Sequence, residues 1–572
     1  MRSGMFRIKW LALTLVLVMA VTAGCQAVGG LDLNGALKRS IKVESMEGKQ
    51  SLEFELMLSD EQEKELAAGL KDGDGTAQWI DLFRQIKLDL TDIKMKDART
   101  VSLKGTLALG DVKIGFGVRM AGALTVVELE GAKRPIVLDL EEAAFRNLLA
   151  AGNPFAYNPL SPDSGEAGEP ADPEAQAKLT EMAKTIMDQV AGFAVDNLPN
   201  PNGLQVLPAI ERVNGEQLTL MHVAMRMNGV ELWQWIKAYL DALIADREGL
   251  TEALLAVNET MLANKDIFAS LGIPLEEEEA LPIGLTDEEE IKKAAGDLVE
   301  KLQEMRAEMD TAEKEDADTI GEIFNKDSYL KVDLYADSKL DIRKSAAELV
   351  VNPDMASLEP ESEGAGEQWD ESPGLSGFDL LGPLQSIEGI RLRIASEQSN
   401  VNGSVTPDAP VKAPNGLSIN EMSTMQGYET LRLFDRSSAM YGLLKKLEIG
   451  KQVVYLDPVY GDYPPVVTPE GVTIVSLRDT ADKLGIRLDY DASTRSVRLR
   501  DKGKDVAITV MQGSKKAFVN GRAVQWSYPA TAMPQSGMYV PARDLMKALG
   551  GTVRWETVFD EEQALVLERE ME

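Results

Sequence analysis

The chain of 572 residues has one cysteine and one histidine. A single thiol rules out a disulfide framework, and a single imidazole rules out metal or acid–base centres built from several histidines. Basic side chains are also scarce: 60 Lys and Arg face 93 Asp and Glu, leaving a formal charge of −33. Neutralising phosphates needs a basic surface, so this balance argues against nucleic acid as a partner. No Gly-x-Ser-x-Gly elbow, Walker loop or His-Glu-x-x-His occurs, which removes the local signatures of serine hydrolases, P-loop enzymes and zincins. Beyond residue 25 no apolar run reaches the roughly 18 residues that suggest a membrane span. What is present, 44% apolar and 27% charged residues, has the composition of a soluble globular protein. The length predicts two to four domains.

The first 25 residues carry the most specific local signal. Arg2, Arg7 and Lys9 precede an apolar run from Trp10 to Val21 that is short for a span, which is the pattern of an export signal. It ends in Val21-Thr22-Ala23-Gly24-Cys25, where small residues fit a peptidase pocket and the sole thiol stands where the cut would expose it. This resembles the lipobox of bacterial lipoproteins, with Thr22 in place of the usual Leu. The resemblance implies cleavage of residues 1–24 and acylation of Cys25, an anchor to the outer face of a Gram-positive-type cell membrane. No cofactor is implied.

Residues 25–40 read as a tether, followed by a body over 41–460. Leu52, Phe54, Leu56 and Leu58 alternate with polar residues, as do Val101 to Leu109 and Ile114 to Met120. These predict half-buried antiparallel strands. Further strands are expected over 86–95, 124–129, 136–140, 217–227, 329–337, 339–351 and 389–396, with helices over 62–70, 173–195, from Val230, and over 437–447. Pro199 to Pro208 reads as a turn. Ile291, Ala295, Leu298, Leu302, Met305 and Met309 draw an apolar stripe down one long helix, which Thr286 and Glu289 would cap. Two stretches, 153–172 and 352–383, are rich in Pro, Gly and acid and read as solvated loops. The expected fold class is α+β: a large, curved antiparallel sheet with helices on one face, then a small α+β domain. The order of long strands, helical segment and the paired runs at 329–337 and 341–344 is similar to half-barrel lipoproteins of the LolA/LppX type. That resemblance implies an apolar chain held between sheet and helices.

After Pro469 the chain repeats itself at an offset of 65 residues. Val475 matches Val540, Arg478 matches Arg543, Asp479 matches Asp544, Leu484 matches Leu549 and Gly485 matches Gly550; Tyr490 aligns with Trp555 and Asp491 with Glu556. Each copy reads as strand, helix, left-handed Gly and strand. Between them Asn520-Gly521 predicts a type I′ hairpin. The stretches 517–524, 538–543 (Met-Tyr-Val540-Pro541-Ala-Arg543) and 548–555 (ending in Gly550 to Trp555) resemble the copper amine oxidase N-terminal-like domain. The resemblance implies a stalk over 470–570 without oxidase activity, since His222 is the only imidazole available for copper. Arg543 has the chemistry to bind an acidic partner, but its recurrence at Arg478 favours a structural role, tying the helix start to the sheet.

Other candidates read as structural. His222, between Met221 and Met225 in a strand, cannot close a metal shell alone. Lys71 to Thr76 opens like a calcium loop but has Ala77 and Phe83 where the loop needs Gly and Glu. The acid runs 276–279 and 287–290 suit a helix start. Taken together, these readings point to a non-catalytic exported lipoprotein that displays a binding or scaffolding body at the envelope, contacting membrane through Cys25 and cell-wall polymer through the stalk. Two alternatives are a carrier for a lipid or other apolar ligand and, more remotely, a polysaccharide-processing enzyme with a carboxylate pair.

Overall fold

Side chains alternate across a strand, so the register between strands decides which residues share a face and a core. The computed structural model describes residues 30–72, 75–139, 173–265, 288–352, 388–459, 461–533, 537–558 and 562–571. The chain divides into two compact units, one of Met1–Leu129 with Val137–Pro414, the other of Glu130–Ile136 with Asn415–Glu572. The division at Pro414 precedes the boundary expected near 460. Cys25, Thr286 and the loop 153–172, with nearly all of 352–383, lie outside the described residues.

In chain order the first unit runs α1 (Leu33–Ile41), β1 (Met46–Met57), α2 (Asp60–Asp72), α3 (Gly75–Phe83), β2 (Gln85–Asp97), β3 (Thr100–Leu109), β4 (Val112–Ala121), β5 (Leu124–Leu129) and β6 (Ile136–Asp139). It continues with α4 (Pro173–Asp196), β7 (Gln205–Val213), β8 (Glu216–Asn228), α5 (Gly229–Ala245), α6 (Arg247–Ala263), α7 (Glu288–Glu315), α8 (Ala317–Ile323), β9 (Tyr329–Ala336), β10 (Ile342–Val351) and β11 (Gly389–Ser399). Eleven strands form one sheet in the order β6-β5-β4-β3-β2-β1-β11-β10-β9-β8-β7, curled into a half-barrel. It consists of two meanders, β1 to β6 and β7 to β11, joined where β1 and β11 pair antiparallel with Leu52 opposite Ile394.

Several local outcomes differ from expectation for identifiable reasons. The tether is structured from Leu33 onward: Asp32 caps α1 by accepting from the Gly35 amide at 2.8 Å, and Leu33, Ala36 and Leu37 are buried in the main core. Their i, i+3, i+4 spacing supplies the apolar stripe. The segment read as a proline turn becomes β7 from Gln205, and Pro208 is tolerated because β7 is the sheet edge. On α7 Ile291, Ala295, Val299, Met309 and Ala312 are buried, while Leu298 of the expected stripe is exposed; a straight helix drifts from a 3.5-residue repeat, and the stripe follows 3.6. Helix α5 begins with a capping box in which Asn228 accepts from the Glu231 amide and Glu231 accepts from the Asn228 amide. Gly110 turns β3 into β4 with φ +52°, where a Cβ would stand 2.9 Å from the Asp81 carbonyl oxygen of α3.

The second unit contains α9 (Ile419–Thr424), α10 (Gly427–Arg432), α11 (Ala439–Lys446), β12 (Lys451–Leu456), β13 (Val466–Val467), β14 (Thr473–Ser476), α12 (Leu477–Lys483) and β15 (Arg487–Asp491). Then follow β16 (Ser496–Asp501), β17 (Val506–Met511), β18 (Lys516–Val519), β19 (Arg522–Gln525), β20 (Thr531–Met533), β21 (Gly537–Pro541), α13 (Ala542–Ala548), β22 (Gly551–Val558) and β23 (Glu562–Glu570). Its sheets are β12-β23-β22, β13-β14-β21-β20 and β15-β16-β17-β18-β19. One core joins them, including Val475, Leu484, Trp526, Val540, Leu549, Leu565 and Leu567. It is pinned by Arg569, whose guanidinium donates to Asp501 at 2.5 Å, to the Gln452 side chain at 2.7 Å and to the Leu484 carbonyl at 3.0 Å.

Candidate functional site

One face of the half-barrel is apolar from strand to strand. Reading across the paired positions, Met225 faces Val332, Val332 faces Ala347, Ala347 faces Ile394, and Ile394 faces Leu52. The row continues from Leu52 to Leu88, Leu107 and Ile114. A parallel row runs through Phe54, Ile86 and Leu109. Helices cover one half of this face. Trp235 and Ile236 of α5, Leu37 of α1, Met309 of α7 and Phe324 beyond α8 pack with Val223, Met225, Val332 and Leu334 in a single core. Trp233 and Phe324 meet at 4.8 Å between ring centres.

Across β1 to β5 the same face is covered less. Phe54, Leu56, Leu88, Leu90, Leu103, Leu107, Phe116 and Val118 are each only half-buried, and Leu52, in the middle of the sheet, is 38% exposed. The α2–α3 hairpin contributes buried Leu66, Ala77 and Leu82, and α3 meets Gly110 at the β3–β4 turn. Central strands normally bury one face. Leu52, Leu88 and Leu107 stand opposite one another across β1 to β3, the row ending at buried Ile114 of β4, while Leu90, Phe116 and Leu129 share the next row with Gln50 and Gly105. The partly exposed leucines form an apolar surface of the kind that marks interaction or ligand sites.

The opposite face is a charged ladder. Arg391 pairs with Glu55 at 2.8 Å, and Arg393 with Glu348 at 3.0 Å. His222 belongs to this face. Its Nε2 lies 2.8 Å from Asp333, and its ring stacks on Tyr335 with centres 4.3 Å apart. Lys344 lies 5.3 Å from the centre of the Tyr335 ring and 2.8 Å from Glu211. Burial, with Glu211 and Asp333 nearby, pushes the Tyr335 hydroxyl above its ordinary value, and the Glu211 hydrogen bond raises the Lys344 ammonium. The histidine is thus one member of a cross-strand network, the sheet's usual unit of side-chain pairing. Among the described residues no group of three or more His, Cys, Asp or Glu is placed to hold a metal ion. Likewise, no described helix is long and apolar enough to cross a membrane.

In the second unit the expected signature residues fall into three groups. Asn520 and Gly521 both have positive φ, +48° and +78°, as a type I′ turn requires. Val540 and Pro541 are buried at the strand–helix junction, where Pro541 is the N-cap residue of α13, and Gly550 takes φ +72° after that helix. Arg543 departs from expectation. It is exposed, as is Arg478, and neither enters an ion pair or hydrogen bond among the described residues. The neighbouring acid instead fastens the helix start to the loop after β19: Asp544 accepts from the Ser527 amide at 2.7 Å and hydroxyl at 2.6 Å. Trp555 lies on the core side of the edge strand β22, opposite Leu565, yet is 39% exposed.

The charge is divided along the sequence. Residues 415–572 hold 20 Lys and Arg against 21 Asp and Glu, whereas residues 1–414 hold 40 against 72. The acidity therefore resides almost wholly in the half-barrel segment, and repulsion of polyanions weakens accordingly in the C-terminal segment.

No curated protein and no solved structure shows significant similarity to the chain. Residues 453–559 match the family described as copper amine oxidase N-terminal domain, a module that is non-catalytic on its own and that lies within the second unit.

Proposed function

We propose that the protein is an exported lipoprotein, anchored through Cys25, whose half-barrel shelters an apolar chain on the inner face of β1 to β5. The observation that carries this reading is the partly exposed apolar row of Leu52, Leu88 and Leu107 across β1 to β3, continuous with the helix-covered half of the same sheet. A ligand lying there replaces water on side chains that the helices leave open. Each buried methylene contributes about 0.8 kcal/mol, so affinity rises with chain length, by up to about fourfold per methylene. The outer ladder of paired charges gives such a ligand no competing surface. A second reading, display of a non-catalytic scaffold at the envelope, is favoured by the stalk-type module over 453–559.

Titration of the full-length protein with a series of fluorescent fatty acids of increasing chain length tests the carrier. Binding is expected to tighten along the series and to be lost in Leu52→Glu, which places a charge on the partly exposed apolar face. Mass spectrometry of an organic extract should yield a stoichiometric apolar ligand in addition to the anchor. Absence of binding by every member of the series, or binding indifferent to Leu52→Glu, refutes the carrier.

A further inference from the structure

The duplication in the second unit sorts its own matched residues. Val475 and Val540 are buried, as are Leu484 and Leu549, while Gly485 and Gly550 hold φ +65° and +72°. Packing and backbone geometry explain why both copies retain them. Asp544 is engaged by Ser527, Asp479 by Lys483 at 3.0 Å, Asp491 by the Ser493 amide at 2.9 Å and Glu556 by Arg554 at 2.9 Å. Two matched pairs have no such explanation: Arg478 with Arg543, and Tyr490 with Trp555. The arginines are exposed and unpaired among the described residues. Tyr490 is 64% exposed and Trp555 39%, whereas Trp526 and Tyr539 of the same unit are buried. Large rings left in water at equivalent places in two copies are not needed for the fold.

The two copies are related by a local twofold axis. In the antiparallel pair of β14 and β21, Val475 stands opposite its own counterpart Val540, Ile474 opposite Pro541, and Ser476 opposite Tyr539. At an offset of 65 residues this is a self-complementary register. In each copy a helix leaves the strand at once, and the next strand packs with it in the shared core. A seven-residue helix rises about 10 Å, a distance a returning strand covers in about three residues. On this estimate β22 returns along α13 toward its start, where Arg543 stands, before reaching Trp555, and β15 returns along α12 toward Arg478 before reaching Tyr490. The two arginines lie three residues to either side of the axis, so their backbones are at most about 20 Å apart.

We propose that each arginine with its aromatic partner forms a subsite for an acidic pyranose, and that the two subsites together bind an anionic polysaccharide. The ring face offers a flat apolar platform for the C–H face of a sugar ring. The guanidinium fork matches a carboxylate through two parallel hydrogen bonds. The near balance of charge in 415–572 leaves these unpaired cations able to attract a polyanion that the acidic half-barrel segment repels. A repeated site suits a repeated ligand, because the second contact forms at high effective concentration once the first is made. The inference is independent of any apolar ligand in the half-barrel.

Affinity electrophoresis of the full-length protein through gels containing polygalacturonate, with dextran as the neutral control, tests it. Retardation by polygalacturonate and not by dextran is expected. Arg543→Gln, Trp555→Ala, Arg478→Gln and Tyr490→Ala should each weaken it about tenfold, because each breaks bivalency. Arg478, Arg543 and Tyr490 are largely exposed, so thermal midpoints should stay unchanged in their three variants, whereas Trp555→Ala, on the core side of β22, is expected to lower its own. Monomeric galacturonate should compete far more weakly than polymer at equal sugar concentration. The proposal is overturned by failure of polygalacturonate to retard the protein, by equal retardation in dextran, by retention of binding in Arg478→Gln/Arg543→Gln, or by equal competition from monomer.

Discussion

Removing Arg569 isolates the value of the most deeply buried charge pair described in this chain. The side chains of Arg569 and Asp501 are 1% and 4% exposed. In Arg569→Leu the Asp501 carboxylate keeps the Gly503 amide at 3.0 Å as a donor and loses its countercharge, and the Leu484 carbonyl loses a donor. Breaking a buried pair on one side typically costs about 3–5 kcal/mol, because the remaining charge is stranded away from water. Native-state hydrogen exchange at Leu565 to Leu567, in the central strand β23, reads this directly. Where exchange follows the opening equilibrium, those amides should exchange roughly 10²- to 10⁴-fold faster. The double variant Arg569→Leu/Asp501→Leu removes both charges and should recover most of the loss, since an apolar pair of similar volume is often neutral or stabilising. A single variant that changes exchange by less than about fivefold refutes the reasoning. So does a double variant as unstable as the sum of the two singles, because then packing and not stranded charge sets the cost.

Two further outcomes follow from the helical layer of the first unit. Asn228→Ala removes the side-chain arm of the α5 capping box and leaves the Glu231 carboxylate accepting from the residue-228 amide, which should lower stability by about 1 kcal/mol and speed exchange in the first turn of α5 more than in its last; uniform acceleration along the helix contradicts the assignment. Asp310 is held down to about 2 by hydrogen bonds from Arg306 and Lys237. Its folded value lies below its ordinary 3.8, so the stabilisation it supplies is complete above about pH 4 and lost as pH falls toward 2. The difference in urea midpoint between the parent and Asp310→Asn should therefore be largest near neutrality and shrink below pH 4; a difference that stays constant down to pH 2.5 would falsify the linkage.

The elements that the sequence revealed are those whose signal is local. Period-two runs located β1 to β5 and β8 to β11, and the Asn520-Gly521 turn with its two flanking strands follows from backbone preference alone. What remained hidden was set by partners distant in sequence. Nothing near Leu52 announces that it lies opposite Ile394, and without that pairing two meanders cannot be joined into one sheet. Pro208 reads as a breaker until β7 is known to be an edge, where a missing amide costs no ladder bond. Residues 33–40 read as tether because small residues precede them, although Asp32 as a cap and the Leu33, Ala36, Leu37 spacing were present to be read. For the candidate sites the limitation was sharper. The alternation of Leu52, Phe54 and Leu56 is identical for a filled core and for an open binding face, and only coverage by other elements separates the two.

The arginine repeated at 478 and 543 is the instructive case for reading function from duplication. Recurrence alone suggested a structural tie, since a fold needs the same contacts twice. The contact found there is made by the adjacent acid, Asp544, and reaches Ser527 in the loop after β19. A residue retained in both copies for the fold should be buried or bonded, and one retained for a ligand should be exposed and unpaired. Val540, Gly550 and Asp544 satisfy the first condition; Arg543 and Trp555 satisfy the second. The same criterion divides the half-barrel. Leu334, Met225 and Leu330 are buried under helices and belong to the fold, whereas Leu52, on the same apolar face, is left partly in water at the centre of an eleven-stranded sheet. A central position is where a folding core is usually most complete, so a leucine exposed there needs a cause outside the fold. The apolar ligand proposed above would supply one.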